Sequence, residues 1–253
     1  MIGYRPGDSV LHRAHPYTPL ATATAMLLAS FALRSPAAIG WVVAAALAFA
    51  VLGRVLGAVA RPALSLALPT WALLLLLHGL LGPAPYRAVG FLDVSAAGLD
   101  RALVLGGRIT AILVAFLTAL ATVSPARLVE AMTARGVPFS RMYLLVSTLT
   151  LVPRLRARAA QILEAQQCRG LRLGGSPLAR VAALGPLVLP LVLGSLMEVD
   201  EQVLALDARG VQSGARRTAL DPPPDSAAEQ AWRGALAGIV ILLFTLRFTG
   251  VAL

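Results

Sequence analysis

Apolar segments long enough to cross a bilayer recur along this chain, and they leave few folds open to it. A hydrocarbon core about 30 Å thick is crossed by about 20 helical residues. Of the 253 residues, 58% are hydrophobic and only 13% are charged, a composition too apolar for a soluble domain. The sequence therefore predicts an all-α, polytopic membrane protein with about five transmembrane helices, at roughly 18–33, 36–53, 62–82, 101–123 and 231–250.

Residues 124–230 interrupt this pattern with arginines, prolines and glycines. Two apolar stretches inside them, near 139–153 and 181–197, are short for a span or broken by proline, and either could be buried or lie along the membrane surface. The end of the region, with three consecutive prolines, is typical of an exposed linker. The predicted organisation has three parts: N-terminal transmembrane helices in 1–123, a polar module of long helices with its linker in 124–230, and a C-terminal transmembrane helix in 231–253.

The positive charge of the chain comes from arginine alone, because the sequence contains no lysine. Without lysine there is no Walker A loop, whose lysine contacts the nucleotide phosphates, and no Schiff-base chemistry. Cys168 is the only cysteine, which excludes an intrachain disulfide and a cysteine-rich metal site. The chain therefore does not bind ATP through a Walker A loop, and we expect it to hold no cofactor or metal of its own.

The arginines also predict the orientation, since positive residues favour the cytoplasmic side of a bacterial inner membrane. They occur before the first span, between the second and third, and throughout 124–230, whereas the opposite loops hold only Arg34, Arg87 and Arg101. The N-terminus, the loop at 54–61 and the polar module are therefore predicted to be cytoplasmic. Five spans would leave the C-terminus outside.

One short pattern occurs twice in the polar module, forty positions apart. The first copy is Ala165-Gln-Gln-Cys168-Arg169-Gly170, and the second is Ala205-Leu-Asp-Ala208-Arg209-Gly210, each with a further glycine four positions on. Each copy ends a predicted helix, at 154–169 and 191–209, because glycine stops a helix. The small residues share a face that lets another backbone approach, and the arginine can pair with a carboxylate or cap carbonyls. We interpret each copy as a helix tip that inserts into a partner.

The simpler alternative is that arginine and glycine end any cytoplasmic helix. Two copies that match at five positions in one region favour docking over this alternative. A third Ala-x-x-Ala-Arg-Gly, at 131–136, lacks the trailing glycine and is followed by Val137-Pro138. We interpret it as the end of a separate amphipathic helix that begins at Ser124-Pro125, a good N-cap and first-turn pair.

On these motifs the chain resembles the transmembrane T component (EcfT/CbiQ type) of energy-coupling factor (ECF) transporters, which are ABC importers of vitamins and metal ions. The small-Arg-Gly motifs at 168–170 and 208–210 are similar to the signature pair of that family. Further similarities follow in the family's order: the segment 11–16, in which His15 replaces the usual aspartate before the proline; the intramembrane Arg108; the Arg-Gly-Val-Pro turn at 135–138; and Pro153.

The resemblance implies a non-enzymatic coupling subunit with partners besides the lipid bilayer. In the family, two crossed helices each insert a tip into one of two cytoplasmic ATP-binding subunits, and the membrane helices hold a substrate-binding S component. Carried over to this sequence, the ATPase-docking residues are Ala165, Cys168, Arg169, Gly170, Ala205, Ala208, Arg209 and Gly210. The S component would select the substrate, a vitamin or an ion such as cobalt or nickel, and no nucleic acid is expected as a partner.

Three other sets of polar residues have structural interpretations. Arg108 lies in a predicted span, where charge is costly, and we expect it to form a structural intramembrane pair rather than act in transport. His12 and His15 are a thin ligand set for a metal, and we expect a surface or interfacial pair. An acidic cluster could be catalytic, but we favour its balancing the arginines of 154–172 where the two helices cross; its members are Glu198, Asp200, Glu201 and Asp207.

Two rival functions remain open. An ordinary ABC importer permease also uses a short cytoplasmic helix, but one per subunit, and it would self-dimerise. A membrane-embedded enzyme acting on lipid-linked substrates is the other rival, although the sequence contains no paired-aspartate motif, no H-E-x-x-H and no nucleophile elbow.

Overall fold

The computed structural model describes residues 4–80, 82, 86–89, 92–171, 185–211 and 224–249. Most of them are helical. The elements in chain order are α1 (Val10–Arg13), α2 (Tyr17–Ala32), α3 (Pro36–Leu52), α4 (Leu56–Leu74) with a π-helical turn (Leu75–Leu80), β1 (Tyr86–Val89), β2 (Leu92–Ser95), α5 (Ala96–Thr122), α6 (Pro125–Ala134), α7 (Phe139–Cys168), α8 (Gly185–Ala208) and α9 (Ala227–Phe248). They form two compact units, one of residues 1–131 with 221–253 and one of residues 132–220.

The predicted all-α membrane architecture is confirmed. Among the described residues, three helices are long and apolar enough to cross a bilayer, Leu56–Gly79, Ala96–Thr122 and Ala227–Phe248, and α2 and α3 are apolar but shorter. Each of these five helices overlaps one predicted span, although α4 begins at Leu56 rather than 62 and α5 at Ala96 rather than 101. The sequence did not anticipate the strand pair between α4 and α5, in which β1 and β2 run antiparallel with Tyr86 opposite Ser95.

Serine side chains begin several of these helices. Ser35 accepts a hydrogen bond from the Ala38 N–H, and Pro36 follows it at the first helical position. Ser95 and Ser226 cap α5 and α9 in the same way. A serine oxygen satisfies one of the N–H groups that the first helical turn leaves unpaired, so local sequence fixes where these spans start.

Helix α5 forms the centre of the first unit, with α2, α3 and α4 packed around it. The buried cluster at this centre consists mainly of alanines, whose small side chains let helices approach closely. Two glycines bring the backbones closer still. A Cβ on Gly106 would lie 2.7 Å from the Trp71 ring, and one on Gly107 would lie 2.5 Å from Ile39 Cγ2.

Helices α2 and α9 run parallel, as contacts at both of their ends show. At their N-terminal ends the Glu229 carboxylate accepts hydrogen bonds from the His15 N–H at 2.8 Å and the Thr18 hydroxyl at 2.7 Å. At their C-terminal ends Arg247 donates to the Phe31 carbonyl. The N-terminal ends of α2 and α9 therefore lie at one end of the unit, which we call the basic end. Arg5 joins it by donating its N–H to the Ala121 carbonyl.

Helices α7 and α8 pack together in the second unit. The sequence predicted that the first long helix begins at 154, but α7 begins at Phe139. It passes through Pro153, which removes one internal hydrogen bond without ending the helix. Likewise α8 begins at Gly185 and passes through Pro190. The predicted glycines Gly174 and Gly214, and most of the predicted linker, lie outside the described residues.

Candidate docking site

The end of α7 is a tight hydrogen-bonded turn. Gly170 has φ +95, a left-handed backbone conformation that favours glycine. Its N–H donates to the Gln167 carbonyl at 2.9 Å, and the Leu171 N–H donates to the Gln166 carbonyl at 3.0 Å. These two bonds define a Schellman turn, which satisfies carbonyls that a helix end leaves unpaired. Arg169 is the C-cap residue of α7.

The end of α8 repeats this turn bond for bond. Gly210 has φ +66, its N–H donates to the Asp207 carbonyl at 2.9 Å, and the Val211 N–H donates to the Leu206 carbonyl at 3.1 Å. Arg209 takes the capping position. The two sequence copies therefore have one backbone geometry, and each presents its arginine at the same point of the turn.

The third Arg-Gly, at the end of α6, adopts the same turn. Gly136 has φ +85, and both closing hydrogen bonds are present, so the turn alone does not separate this copy from the pair. Exposure does separate them. Ala131, the first small residue of the third copy, is 2% exposed, whereas Ala165 and Ala205 are both exposed. The third copy therefore has one of its two small residues buried, whereas both are exposed in each copy of the pair.

All eight residues predicted for docking are exposed on the two tips: Ala165, Cys168, Arg169, Gly170, Ala205, Ala208, Arg209 and Gly210. Within the described parts of the chain, neither Arg169 nor Arg209 has a side-chain hydrogen bond or ion pair. A guanidinium left unpaired at the end of a helix can bind a carboxylate with two parallel hydrogen bonds or cap the carbonyls of another chain. Each tip is therefore an exposed small face that ends in an available cation.

The two helices cross at Glu198, which bridges two arginines of α7. Its carboxylate oxygens lie 3.4 Å from an Arg154 nitrogen and 3.1 Å from an Arg158 nitrogen. Gly194 lies against the same place, because a Cβ there would be 2.8 Å from the guanidinium carbon of Arg158. Of the predicted acidic cluster, Glu198 balances the arginines at the crossing, whereas Asp200 and Glu201 are exposed.

The crossing has approximate twofold symmetry. Arg158 and Glu198 are forty positions apart, the same offset that relates Arg169 to Arg209. Exchanging the two helices maps the contact of Arg154 with Glu198 onto the contact of Gly194 with Arg158. The helices thus meet at equivalent points of the repeat, and each tip begins at the same sequence distance from the crossing.

The two helices cross with opposite sense. Tyr143 donates to Gln202 at 3.4 Å, while further along α7 Arg158 meets Glu198, which lies earlier on α8. Ten residues separate the ion pair from the last helical residue of each helix, and at 1.5 Å per residue this is about 15 Å of helix. The second unit therefore presents two equivalent tips on separate sides.

An apolar groove of about 510 Å³ runs along the crossing and is lined by residues of both helices. The leucines around it are unusually exposed for a helix pair; Leu144 is 68% exposed and Leu196 is 57% exposed. Arg154 and Glu198 line part of this groove, but most of its surface is apolar, whereas each tip ends in an exposed arginine. The second unit therefore offers two chemically different surfaces.

Arg108 lies in α5, and its partners are main-chain atoms rather than a carboxylate. Its guanidinium donates to the Ser30 carbonyl at 2.8 Å and the Leu33 carbonyl at 3.1 Å. The guanidinium carbon of Arg108, Cζ, lies 5.0 Å from the centre of the Phe31 ring. The C-terminal end of α2 carries partial negative charge, so a cation there stabilises it. The sequence could not identify this partner, because backbone carbonyls carry no sequence signal.

The two histidines of the N-terminal segment are buried, His12 at 9% and His15 at 4% exposure, so they do not form the expected surface pair. In His12, Nε2 donates to the Arg5 carbonyl at 2.9 Å, and Nδ1 accepts from the Ser9 hydroxyl at 2.6 Å. The main-chain N–H of His15 donates to Glu229. Among the described residues there is no group of three histidine, cysteine or acidic side chains that could hold a metal.

Comparison with known proteins places this chain in a family. Residues 7–220 match the CbiQ family, described as a cobalt transport protein. The chain is similar to the energy-coupling factor transporter transmembrane protein EcfT of Thermanaerovibrio acidaminovorans, at 33% identity over 87% of this chain and 85% of the relative. The EcfT of Bacillus subtilis is 26% identical over 96% and 93% of the two chains.

A third relative is a larger protein. It is a putative ABC transporter ATP-binding protein of Bifidobacterium longum, 27% identical over 84% of this chain but only 29% of its own length. These relatives are named as transporter components. The family match covers most of the chain, including both helix tips, and the chain therefore belongs to the CbiQ family, as an EcfT/CbiQ-type transmembrane T component of an energy-coupling factor transporter.

Proposed function

We propose that this chain couples two cytoplasmic ATP-binding subunits to a membrane-embedded S component during vitamin or metal-ion uptake. The observation that carries the proposal is the pair of equivalent tips, each with an exposed small face and an unpaired capping arginine. A twofold pair of tips fits a pair of related subunits. The Bifidobacterium relative, whose name is that of an ATP-binding protein, supports an association with ABC ATPases.

The ATPase-docking residues of the proposal are the eight exposed residues of the tips. A groove on each ATPase would receive the small face, and Arg169 or Arg209 would pair with carboxylates or carbonyls inside it. Because the ion pair at Glu198 lies equally far from both tips, movement of the ATPases toward each other upon ATP binding would change the crossing angle of α7 and α8. That change would be passed to the membrane partner.

The apolar groove of the crossing is the surface that we assign to the S component. A membrane-embedded partner is itself apolar, and burial of exposed leucine stabilises such a contact by roughly 25 cal/mol per Å². The orientation that fits is the one the arginines favour, with the tips on the cytoplasmic side of the bacterial inner membrane.

Affinity purification of the tagged chain from membranes tests the docking step. The wild-type chain should recover two ATPases and a small membrane protein. The Arg169→Ala/Arg209→Ala variant should lose the ATPases. Arg141 is an exposed arginine of α7 far from the tip, and the control variant Arg141→Ala should retain them. A Leu151→Glu/Leu196→Glu variant should lose the membrane protein and keep the ATPases. Retention of the ATPases without both tip arginines would refute the docking residues.

The rival closest in class is an ordinary ABC permease, in which each subunit contacts one ATPase. Two tips on one chain favour the coupling subunit over this rival. Recovery of two copies of the tagged chain in one complex would favour the permease instead.

A further inference from the structure

A cleft at the basic end of the first unit holds two arginines that the proposed function does not use. Its volume is about 410 Å³. On one side it is lined by the N-terminal segment, from Arg5 to Ser9 with His12, and on the other by the turn between α3 and α4, from Gly53 to Val55 with Gly57 and Ala58. We call this feature the basic cleft. It lies in the other unit from the helix tips.

The backbone of Arg5 is held by hydrogen bonds at both its N–H and its carbonyl. Its N–H donates to the Ala121 carbonyl at the end of α5, at 2.9 Å, and its carbonyl accepts from His12. The His12 ring is buried at 9% exposure, and Gly7 packs on it so closely that a Cβ would lie 3.1 Å from the ring. The N-terminal segment is thus a fixed wall of the cleft.

Arg54, on the opposite wall, has a strained backbone. Its φ is +53, the only left-handed residue other than glycine in the described part of the chain. The turn that contains it closes with the same bonds as the helix tips, from the Arg54 N–H to the Val51 carbonyl at 2.9 Å and from the Val55 N–H to the Ala50 carbonyl at 3.1 Å. At the three other Schellman turns, glycine takes the left-handed position and arginine precedes it. Here the order is reversed.

Packing explains the glycine of this turn but not the arginine. A Cβ on Gly53 would lie 3.2 Å from a Leu11 methyl and 3.2 Å from a Thr122 methyl, so no larger residue fits without displacing them. Position 54 is exposed, and glycine or asparagine would adopt its conformation with less strain. Strain of this kind is found at functional sites, so we expect the Arg54 side chain to have a function.

The charges that line the cleft favour an anion. The guanidinium groups of Arg5 and Arg54 have no hydrogen-bond or ion-pair partner among residues 4–80 and the other described segments, and Asp8 is the acidic residue that lines the same space. The N-cap residue of α4 offers no side-chain acceptor, so the N–H groups of its first turn add partial positive charge to that of the arginines. Two arginines present planar donor pairs that match the oxygens of a phosphate.

The position of the cleft indicates how such a phosphate is presented. The span Leu56–Gly79 begins at the cleft wall, so the cleft lies where the apolar helix leaves the hydrocarbon and reaches the headgroup layer. Basic pockets between helices at this depth bind phospholipid headgroups. We infer that the basic cleft binds a phosphate group, carried by the headgroup of an anionic phospholipid, with Arg5 and Arg54 as its ligands.

Two variants test this site by different physical means. Arg54→Asn removes the charge and keeps a residue that tolerates the left-handed conformation, so the turn should still form. Gly57→Leu fills the cleft and leaves both arginines, because a Cβ at Gly57 would have no atom within 4 Å. Arg61→Gln is the matched control, since it removes the same charge from α4 outside the residues that line the cleft.

The measurement is the affinity of the purified full-length chain for phosphatidylglycerol, compared with phosphatidylcholine, by native mass spectrometry from detergent. We expect Arg54→Asn and Gly57→Leu to bind phosphatidylglycerol at least tenfold more weakly than wild type and Arg61→Gln to bind it as wild type does. Equal loss in Arg61→Gln, or no loss in the two cleft variants, would overturn the site.

A parallel titration with inorganic phosphate, against chloride at equal ionic strength, separates the two sources of the anion. The lipid assignment predicts that millimolar phosphate does not displace phosphatidylglycerol from wild type. Displacement by phosphate, or phosphate binding that is lost in both cleft variants without any lipid preference, would overturn the lipid as the source. No ATPase or S component is needed, so the result is independent of the coupling proposal.

Discussion

Replacement of Gly170 by alanine tests whether the left-handed turn maintains the docking tip. A Cβ at this position would meet nothing within 4 Å, so the effect of the substitution comes from the backbone alone. A residue other than glycine pays about 1–2 kcal/mol in the left-handed region. Because φ at Gly170 is +95, beyond the usual left-handed value of about +57°, we expect the upper part of that range.

The consequence is fraying of the last turn of α7. A cost of about 1.4 kcal/mol changes an equilibrium tenfold, so the amide of Leu171, which closes the turn, should exchange with solvent about ten times faster or more in Gly170→Ala. Gly210→Ala should have a smaller effect on Val211, because φ +66 at Gly210 lies closer to the left-handed region that other residues can adopt. ATPase affinity should fall in the same order.

Hydrogen–deuterium exchange of the full chain in nanodiscs measures both amides directly. Gly170→Asn is the control, since asparagine enters the left-handed region more readily than alanine, and it should protect Leu171 better than Gly170→Ala does. Unchanged exchange at Leu171 in Gly170→Ala, or equal exchange in the alanine and asparagine variants, would refute the reasoning.

Three further predictions concern stability, each measured by thermal unfolding of the purified chain. Glu229→Ala should lower the free energy of unfolding by about 1.5–3 kcal/mol, because a charged acceptor for the His15 N–H and the Thr18 hydroxyl is lost. Replacement of Glu164, which is exposed on α7, by alanine should change this free energy little. Equal effects of the two substitutions would contradict the role of Glu229. Glu198→Gln should lower the free energy of unfolding by less than about 1 kcal/mol, since the side chains of its ion pairs are more than a third exposed. The difference from wild type should vanish in high salt. A large loss of stability that does not depend on salt would show that the crossing depends on more than these ion pairs. Gly107→Ala should lower the free energy of unfolding by about 1–3 kcal/mol, because its Cβ would clash with Ile39. Gly40→Ala is the control; its Cβ would lie in open space, so the free energy of unfolding should rise by up to about 1 kcal/mol from helix propensity. Stabilisation by both substitutions would contradict the close packing of α3 on α5.

Hydropathy and helix-end chemistry predicted the parts of this fold that depend on local sequence. The five spans follow from apolar length, and the ends of α6, α7 and α8 follow from their arginine and glycine residues. The predicted start of α7 at 154 is wrong, because a helix that begins before a proline can continue through it, as α7 does at Pro153. The β1–β2 pair had no signal in the sequence analysis, since its strands are four residues each.

The rest of the site depends on which segments meet, and a single sequence does not contain that information directly. The bridge from Glu198 to Arg154 and Arg158 was predicted only as a general balance of charge. Its signal was present in the forty-position offset between Arg158 and Glu198, the same offset as between the motifs. The partners of Arg108 and the strain at Arg54 depend on backbone geometry, so residue type alone could not reveal them.

The stoichiometry of the complex tests the coupling account most directly. The measurement is the mass of the complex assembled from the purified chain and its ATPases, for wild type and for Arg169→Ala/Arg209→Ala. The account predicts one copy of this chain with two ATPases in wild type and the chain without ATPases in the double variant. Two copies of the chain with two ATPases, or ATPases retained by the double variant, would contradict it.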